Sequence, residues 1–160
     1  MRHFRAHFAA ALAATGFLLA SSSCYSNDDV SRFNQPDVVA EVQQAFEGYY
    51  ASLRANDVPA TQAWFRQSPL TVRFGNAENL FGAEEINAYR AASTSRATSG
   101  SNARERFVIA TFGRDFATTS SMTRAENGKI GRATQVWARF PEGWKIVSAH
   151  VSSITDPNKR

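Results

Sequence analysis

A chain of 160 residues, of which 43% are hydrophobic and 12% aromatic, can form one ordinary domain with a substantial core. The formal net charge is +4, but Arg2 and Arg5 lie in an N-terminal segment without acids. The remaining chain therefore carries 16 of the 18 Lys and Arg residues against all 14 Asp and Glu residues. This nearly balanced charge, with no basic cluster, argues against a protein that binds nucleic acid.

Residues 1–26 have the pattern of an export signal. A basic start precedes the apolar residues 8–20, a stretch too short to cross a bilayer of about 30 Å. Three serines then supply the small residues that a signal peptidase requires. Cys24 follows where a bacterial lipoprotein carries its lipidated residue, and as the only cysteine it excludes an internal disulfide. The sequence predicts an exported protein, either periplasmic or anchored to the membrane as a lipoprotein.

A polar linker, 27–35, precedes a predicted domain over 36–155, and residues 156–160 form a short tail. Pro36 favours the first turn of a helix, and Asp37 complements the helix dipole there. Apolar residues then recur at spacings of three and four, which predicts an amphipathic helix. This stripe consists of Val38, Val39, Val42, Phe46, Tyr49, Tyr50 and Leu53. A shorter helical segment follows over 60–65.

Strand patterns dominate the second half of the chain. A first strand is predicted over 70–74, followed by a helix over 84–92 and a Ser/Thr/Gly-rich loop over 93–103. Four more strands follow, with turn residues between them, over 106–112, 116–124, 130–140 and 144–154. Helices first and successive strands afterwards indicate an α+β fold.

The last predicted strand is largely apolar on both faces. Strict alternation places Trp144, Ile146, Ser148, His150 and Ser152 on one face, and Lys145, Val147, Ala149 and Val151 on the other. One face can cover the helices, and we expect the outer face of the sheet to meet a second copy of the chain. The sequence therefore predicts a homodimer.

Several kinds of chemistry are excluded by the residues available. His150 is the only histidine beyond the export signal, which leaves no multi-histidine metal site. The Gly-x-Ser-x-Gly motif of serine hydrolases and the glycine-rich phosphate loops of nucleotide enzymes are missing as well. We therefore expect neither a nucleotide enzyme nor a serine triad.

Five residues remain as candidates for a site that binds a small acid: Tyr49, Arg73, Glu78, Asn79 and His150. A guanidinium in an apolar strand needs a carboxylate or an anionic ligand, because it cannot lose its charge. Each residue also has an ordinary structural interpretation. Arg73 can pair with Glu78 or Asp115, Tyr49 and His150 can be core residues, and Glu78 and Asn79 can bond to the local turn.

Short motifs along most of the chain resemble those of one family. They include Thr-Val-Arg-Phe-Gly over 71–75, Glu-Asn-Leu-Phe-Gly over 78–82 and Gly-Arg-Asp-Phe-Ala-Thr over 113–118. The other matching positions are 36–42, 46, 49, 131–132, 135–137, 140, 143–147 and 149–152. In this order they resemble the AtzH-like proteins, which are related to the oxalurate-catabolism HpxZ-like proteins in the SnoaL-like (nuclear-transport-factor-like) superfamily.

The resemblance implies a SnoaL-like cone, in which N-terminal helices pack on a curved antiparallel sheet around a cavity, commonly in a dimer. It also implies a small cofactor-free enzyme, a decarboxylating amidohydrolase that acts on carboxylated urea-type molecules. The family's tyrosine and arginine map onto Tyr49 and Arg73 as catalytic residues, with Glu78, Asn79 and His150 as substrate-binding candidates. The alternative is a non-catalytic module that binds a small acid or supports a partner enzyme, because one fold serves many functions.

Overall fold

A computed structural model describes residues 32–92, 103–125 and 127–156. These residues form helices α1 (Pro36–Arg54), α2 (Val58–Ala63) and α3 (Gly82–Ala92). They also form strands β1 (Val72–Phe74), β2 (Asn79–Phe81), β3 (Ala103–Phe112), β4 (Phe116–Arg124), β5 (Lys129–Phe140) and β6 (Gly143–Thr155). The predicted export signal, Cys24 and most of the predicted loop over 93–103 lie outside the described residues, so the expectations about them stay predictions.

The long helix α1 follows the stripe that the sequence predicts. Pro36 occupies its first turn with Asp37 beside it, and Arg54 lies in the last turn, where positive charge suits the helix dipole. Every residue of the stripe is buried except Val39, which is half-buried. The buried face packs against the inner face of the sheet, and aromatic side chains supply much of this contact.

The α+β prediction is confirmed, with one change in the sheet. Its strand order is β2-β1-β6-β5-β4-β3, and every neighbouring pair is antiparallel except β1 and β6, which run parallel. The sheet is therefore mixed rather than wholly antiparallel. The short strand β2 is an element that the sequence analysis treated as part of a polar turn, because three residues are too few for a visible alternation.

A β-bulge in β6 changes which of its residues face inward. Val136 pairs with Ser148, whereas the next residue, Trp137, pairs with Ile146, so Val147 is an extra residue in β6. A one-residue shift exchanges the two faces of a strand. The inner face therefore continues from Ile146 to Ala149, and the strict alternation predicted from the sequence is wrong beyond the bulge.

Helix α1 packs very closely at Gly48 against Trp64, the residue that follows α2. A Cβ atom added at Gly48 would lie 2.5 Å from Cζ2 of Trp64. We expect Gly48→Ala to destabilise the protein by about 1–2 kcal/mol, because overpacking costs more than the helix propensity that alanine gains. Urea unfolding would measure this. In a Trp64→Leu background the same change should be neutral or stabilising, and a destabilisation of equal size there would contradict the steric explanation.

Among the described residues, no helix has both the length and the hydrophobicity needed to cross a membrane.

Candidate active site

A cavity of about 260 Å³ lies between the helices and the inner face of the sheet. Its walls come from α1, β1, α3 and the strands β4, β5 and β6. An apolar cavity of about 150 Å³ already holds benzene. This cavity can therefore accept a small organic molecule, and its many polar lining groups favour a polar one.

Tyr49 and Arg90 form a buried pair at this cavity. Tyr49 lies on the inward stripe of α1 and is 4% exposed, and Arg90 lies in the last turn of α3 and is 8% exposed. Arg90 Nη2 donates a hydrogen bond to the Tyr49 hydroxyl oxygen at 3.0 Å. The phenol proton has no acceptor among the described residues, so it remains available to a molecule in the cavity.

Arg90 is a buried cation that has no counter-charge among the described residues. No carboxylate of the described residues forms an ion pair with it, and its Nε atom is shielded from solvent without a hydrogen-bond partner. Its guanidinium carbon lies 5.8 Å from the ring centre of Phe65, which provides weak compensation at most. A buried charge in this state is costly unless an anion reaches it.

Arg73 also lines the cavity, but it has a carboxylate partner. It is 8% exposed on β1, and its Nη1 atom forms an ion pair with Glu78. Burial alone would raise the pKa of Glu78, but the hydrogen bond and charge of Arg73 outweigh it and hold that pKa below its ordinary value. The Nη2 atom of Arg73 has no partner among the described residues. The structural alternative considered for Arg73, pairing with Glu78, is thus present.

The charged groups in the described part of the cavity wall are all positive. Besides Arg73 and Arg90, the exposed residues Lys129 and Arg132 contribute to its wall, and no carboxylate belongs to the described lining. Among the described residues, no cluster of three His, Cys, Asp or Glu side chains could hold a metal ion. The electrostatic character of the site therefore favours a small anion.

The family model for AtzH-like proteins matches residues 31–157. The chain belongs to the AtzH-like family. The match spans all three described helices and all six described strands, and it includes the described residues that line the cavity. No protein of curated function matches the chain significantly.

Two solved structures are similar to this AtzH-like chain along nearly their whole length. A protein of unknown function from Pectobacterium atrosepticum is 41% identical, with a TM-score of 0.73 over 78% of this chain and 97% of that one. A cystatin-like fold protein from Burkholderia xenovorans is 45% identical, with a TM-score of 0.72 over 78% of this chain and 98% of that one. A nuclear transport factor 2-like protein from Pseudomonas putida, 19% identical with a TM-score of 0.62, covers 77% of this chain and 91% of that one and shares the fold.

Two of the predicted binding residues of this AtzH-like chain lie away from the cavity. Phe74 pairs with Asn79 on one side and with His150 on the other, so all three lie on the outer face of the sheet. Asn79 and His150 are exposed, and neither lines the cavity. The expectation that they bind the substrate in this cavity is not met, because the bulge in β6 and the pairing of β2 turn them outward.

The sequence analysis missed Arg90 and Gln135, which both line the cavity. Arg90 lies four residues after the fully buried Ile86 in α3, so helical spacing places it on the buried face. A charged residue at a buried helical position is the signal that could have identified it. Gln135 lies two residues before the buried Trp137 on β5 and so shares its face, which is a similar signal.

The Glu78 carboxylate occupies the space beside Gly75 that a side chain at position 75 would fill, and there it pairs with Arg73. A Cβ atom at position 75 would lie 2.0 Å from Oε1 of Glu78, so any larger residue displaces this carboxylate. We expect Gly75→Ala to lower the free energy of unfolding by about 1–3 kcal/mol, because Arg73 loses its partner. Since the folded-state pKa of Glu78 is lowered, the pair stabilises above its ordinary pKa of 4.5 and this contribution disappears as the pH falls below it.

Urea unfolding at neutral pH measures the effect of Gly75→Ala. A Glu78→Ala background supplies the control, since the clash partner is then missing and the two changes should not add. Full additivity in this double-mutant cycle would show that Gly75 acts independently of the ion pair.

Proposed function

We propose that the protein binds a small carboxylated urea-type molecule in this cavity and removes its carboxyl group without a cofactor. The observation that carries the proposal is Arg90, a buried guanidinium that lines the cavity, lacks a carboxylate partner among the described residues and contacts the hydroxyl of Tyr49. Membership of the AtzH-like family supports the class of substrate.

In this proposal the substrate carboxylate lies between the two arginines of the cavity. Arg73 uses Nη1 for Glu78 and offers Nη2 to the ligand, while Arg90 supplies a charge that no carboxylate of the described residues balances. Hydrogen bonds between guanidinium and carboxylate are charge-assisted and directional. Glu78 acts as a positioning residue, because it holds the plane of the Arg73 guanidinium.

Tyr49 then acts as the proton donor. The bond between the urea nitrogen and the carboxyl carbon breaks, its electron pair stays on the nitrogen, and this nitrogen takes the proton of the Tyr49 hydroxyl. The carboxyl group leaves as carbon dioxide. Arg90, which already donates to the phenol oxygen, stabilises its negative charge until water returns a proton.

A pair of small molecules tests the proposal. N-Carboxyurea offers a cleavable N–carboxyl bond, whereas N-carbamoylglycine has a methylene group there and should bind without reacting. We expect the protein to bind N-carbamoylglycine by calorimetry and to accelerate carbon dioxide release from N-carboxyurea over the uncatalysed rate. Binding without acceleration would favour the non-catalytic acid-binding module, and absence of binding would refute the proposal altogether.

We also propose that two copies pair through the outer face of the sheet. Val108, Phe112 and Phe116 are more than half exposed there, on neighbouring strands β3 and β4. We expect light scattering to give the mass of a dimer, and Val108→Glu to give a monomer because it buries a charge. Ala51→Glu, on the exposed face of α1, is the matched control and should leave the dimer intact. A monomeric wild-type protein would contradict the proposal.

A further inference from the structure

A relay of three buried side chains fixes the orientation of the Gln135 amide. Trp137 Nε1 donates to Thr119 Oγ1 at 3.1 Å, and Thr119 Oγ1 donates to Gln135 Oε1 at 3.1 Å. An indole N–H can only donate, so Thr119 must accept from it and has one hydrogen left to give. With the amide reversed, both this hydrogen and the amide oxygen would lose their partners. The relay therefore commits the amide oxygen to Thr119 and leaves the NH₂ group at the other end.

The NH₂ group of Gln135 has no acceptor among the described residues. Gln135 is only 2% exposed and lines the cavity, and its Nε2 atom has no hydrogen-bond partner among the described residues. In the cavity this donor can bond to water, and an acceptor on a ligand would take the place of that water. The amide is thus held ready for a hydrogen-bond acceptor of the ligand.

The register of the sheet places this donor in line with Arg73. Gln135 pairs with Ala149, and Ala149 pairs with Arg73, so the three residues lie in one row across neighbouring strands on the inner face. Adjacent strands are about 4.8 Å apart, which puts the Cα atoms of Gln135 and Arg73 about 10 Å apart. Only the methyl group of Ala149 stands between the two side chains in this row. A cation and a neutral N–H donor therefore flank the same space.

We infer that Gln135 donates a hydrogen bond to the carbonyl oxygen of an amide or urea group in the ligand and so determines specificity. This inference rests on the proposed function, in which the arginines bind the acid group. A neutral carbonyl oxygen suits a donor that carries no net charge, and sites built to hydrogen-bond such a group reject analogues that lack it. Gln135 thereby distinguishes ureide acids from simple fatty acids of equal size.

Two ligands of eight non-hydrogen atoms separate these roles. N-Carbamoylglycine has the carboxylate and the urea carbonyl, and 4-methylpentanoate has the same shape with methyl and methylene groups in place of the polar ones. We expect Gln135→Leu to lower the ratio of their affinities, measured by calorimetry, about tenfold relative to wild type. An unchanged ratio would overturn the inference while 4-methylpentanoate binding still supports the arginine site. If neither ligand binds the wild-type protein, the proposed function fails and this inference fails with it.

The relay is tested separately, in variants that keep Gln135. Thr119→Val removes the hydroxyl that orients the amide and should lower the affinity ratio, whereas Thr119→Ser keeps the hydroxyl and should preserve it. Thr111→Val is the matched control, because Thr111 is fully buried on β3 but lies outside the cavity wall, and its hydroxyl has no partner in the part of the chain that the structure describes. Equal ratios in Thr119→Val and Thr111→Val, with both proteins folded by circular dichroism, would show that the relay has no role in recognition.

Discussion

Replacing Tyr49 with phenylalanine should lower turnover of N-carboxyurea by about 10²–10⁴-fold, the range that general acid catalysis typically contributes. The variant keeps the aromatic ring in the core, where Tyr49 packs edge-to-face on Phe65 and Trp137. It removes only the hydroxyl that receives the Arg90 hydrogen bond and carries the transferable proton. Binding of N-carbamoylglycine should change by no more than about threefold, because the guanidinium groups remain.

Steady-state release of carbon dioxide and calorimetry measure these two effects separately. Tyr50→Phe is the matched control, because it removes the same atom from the next residue of α1. Burial raises the pKa of the Tyr50 phenol, and its hydroxyl lies 3.5 Å from Ser121 Oγ, with no hydrogen bond to an arginine among the described residues. Turnover that survives in Tyr49→Phe but is lost in Tyr50→Phe would reverse the assignment of the proton donor.

Replacing Arg90 with methionine should lower the affinity for N-carbamoylglycine about 10- to 100-fold, as expected for a charge-assisted hydrogen bond worth about 1.5–3 kcal/mol. Methionine is flexible, unbranched and apolar, so it can fill the space of the side chain. Turnover should fall as well, because the phenolate of Tyr49 loses its stabilising donor.

The stability of Arg90→Met separates a binding role from a structural one. A buried charge without a partner, as Arg90 is among the described residues, destabilises the ligand-free fold, so the variant should unfold at equal or higher urea concentration than wild type. Arg104→Met is the control, since Arg104 pairs with Glu47 and stacks on Phe46 outside the cavity wall. It should leave ligand affinity unchanged. A strongly destabilised Arg90→Met protein that still binds the ligand would mean that Arg90 serves the fold alone.

The predictions for helix α1 and for the later strands rest on local patterns and hold closely. The apolar stripe from Val38 to Leu53 that the sequence predicts is the inward face of α1 in the structure. The prediction holds because a helix of this length repeats its apolar spacing over several turns. Strand β4 begins and ends where it is predicted to, at Phe116 and Arg124. Turn residues mark such boundaries directly in the sequence.

The sequence pointed to Tyr49 and Arg73 through their place in a family pattern, and both line the cavity. The strict alternation of the sequence placed His150 on the same face as Ile146, whereas the structure places it on the outer face. A single extra residue at Val147 reverses the faces of β6, and no local signal marks that bulge. The sequence analysis also gave Arg90 no role, because its importance depends on its contact with Tyr49 and on the lack of a carboxylate beside it among the residues that the structure describes.

The amino-acid sequence by itself determined the α+β class, the inward stripe of α1, the family and the cation at position 73, since these depend on local periodicity and short motifs. Only the tertiary structure decided that Glu78 pairs with Arg73 and that Thr119 orients the Gln135 amide. It also decided that Arg90 lies beside Tyr49 with no carboxylate partner among the described residues. The reason is physical. Charge balance and hydrogen-bond satisfaction depend on which groups meet across the fold, and residues such as Tyr49 and Arg90 are distant in the chain.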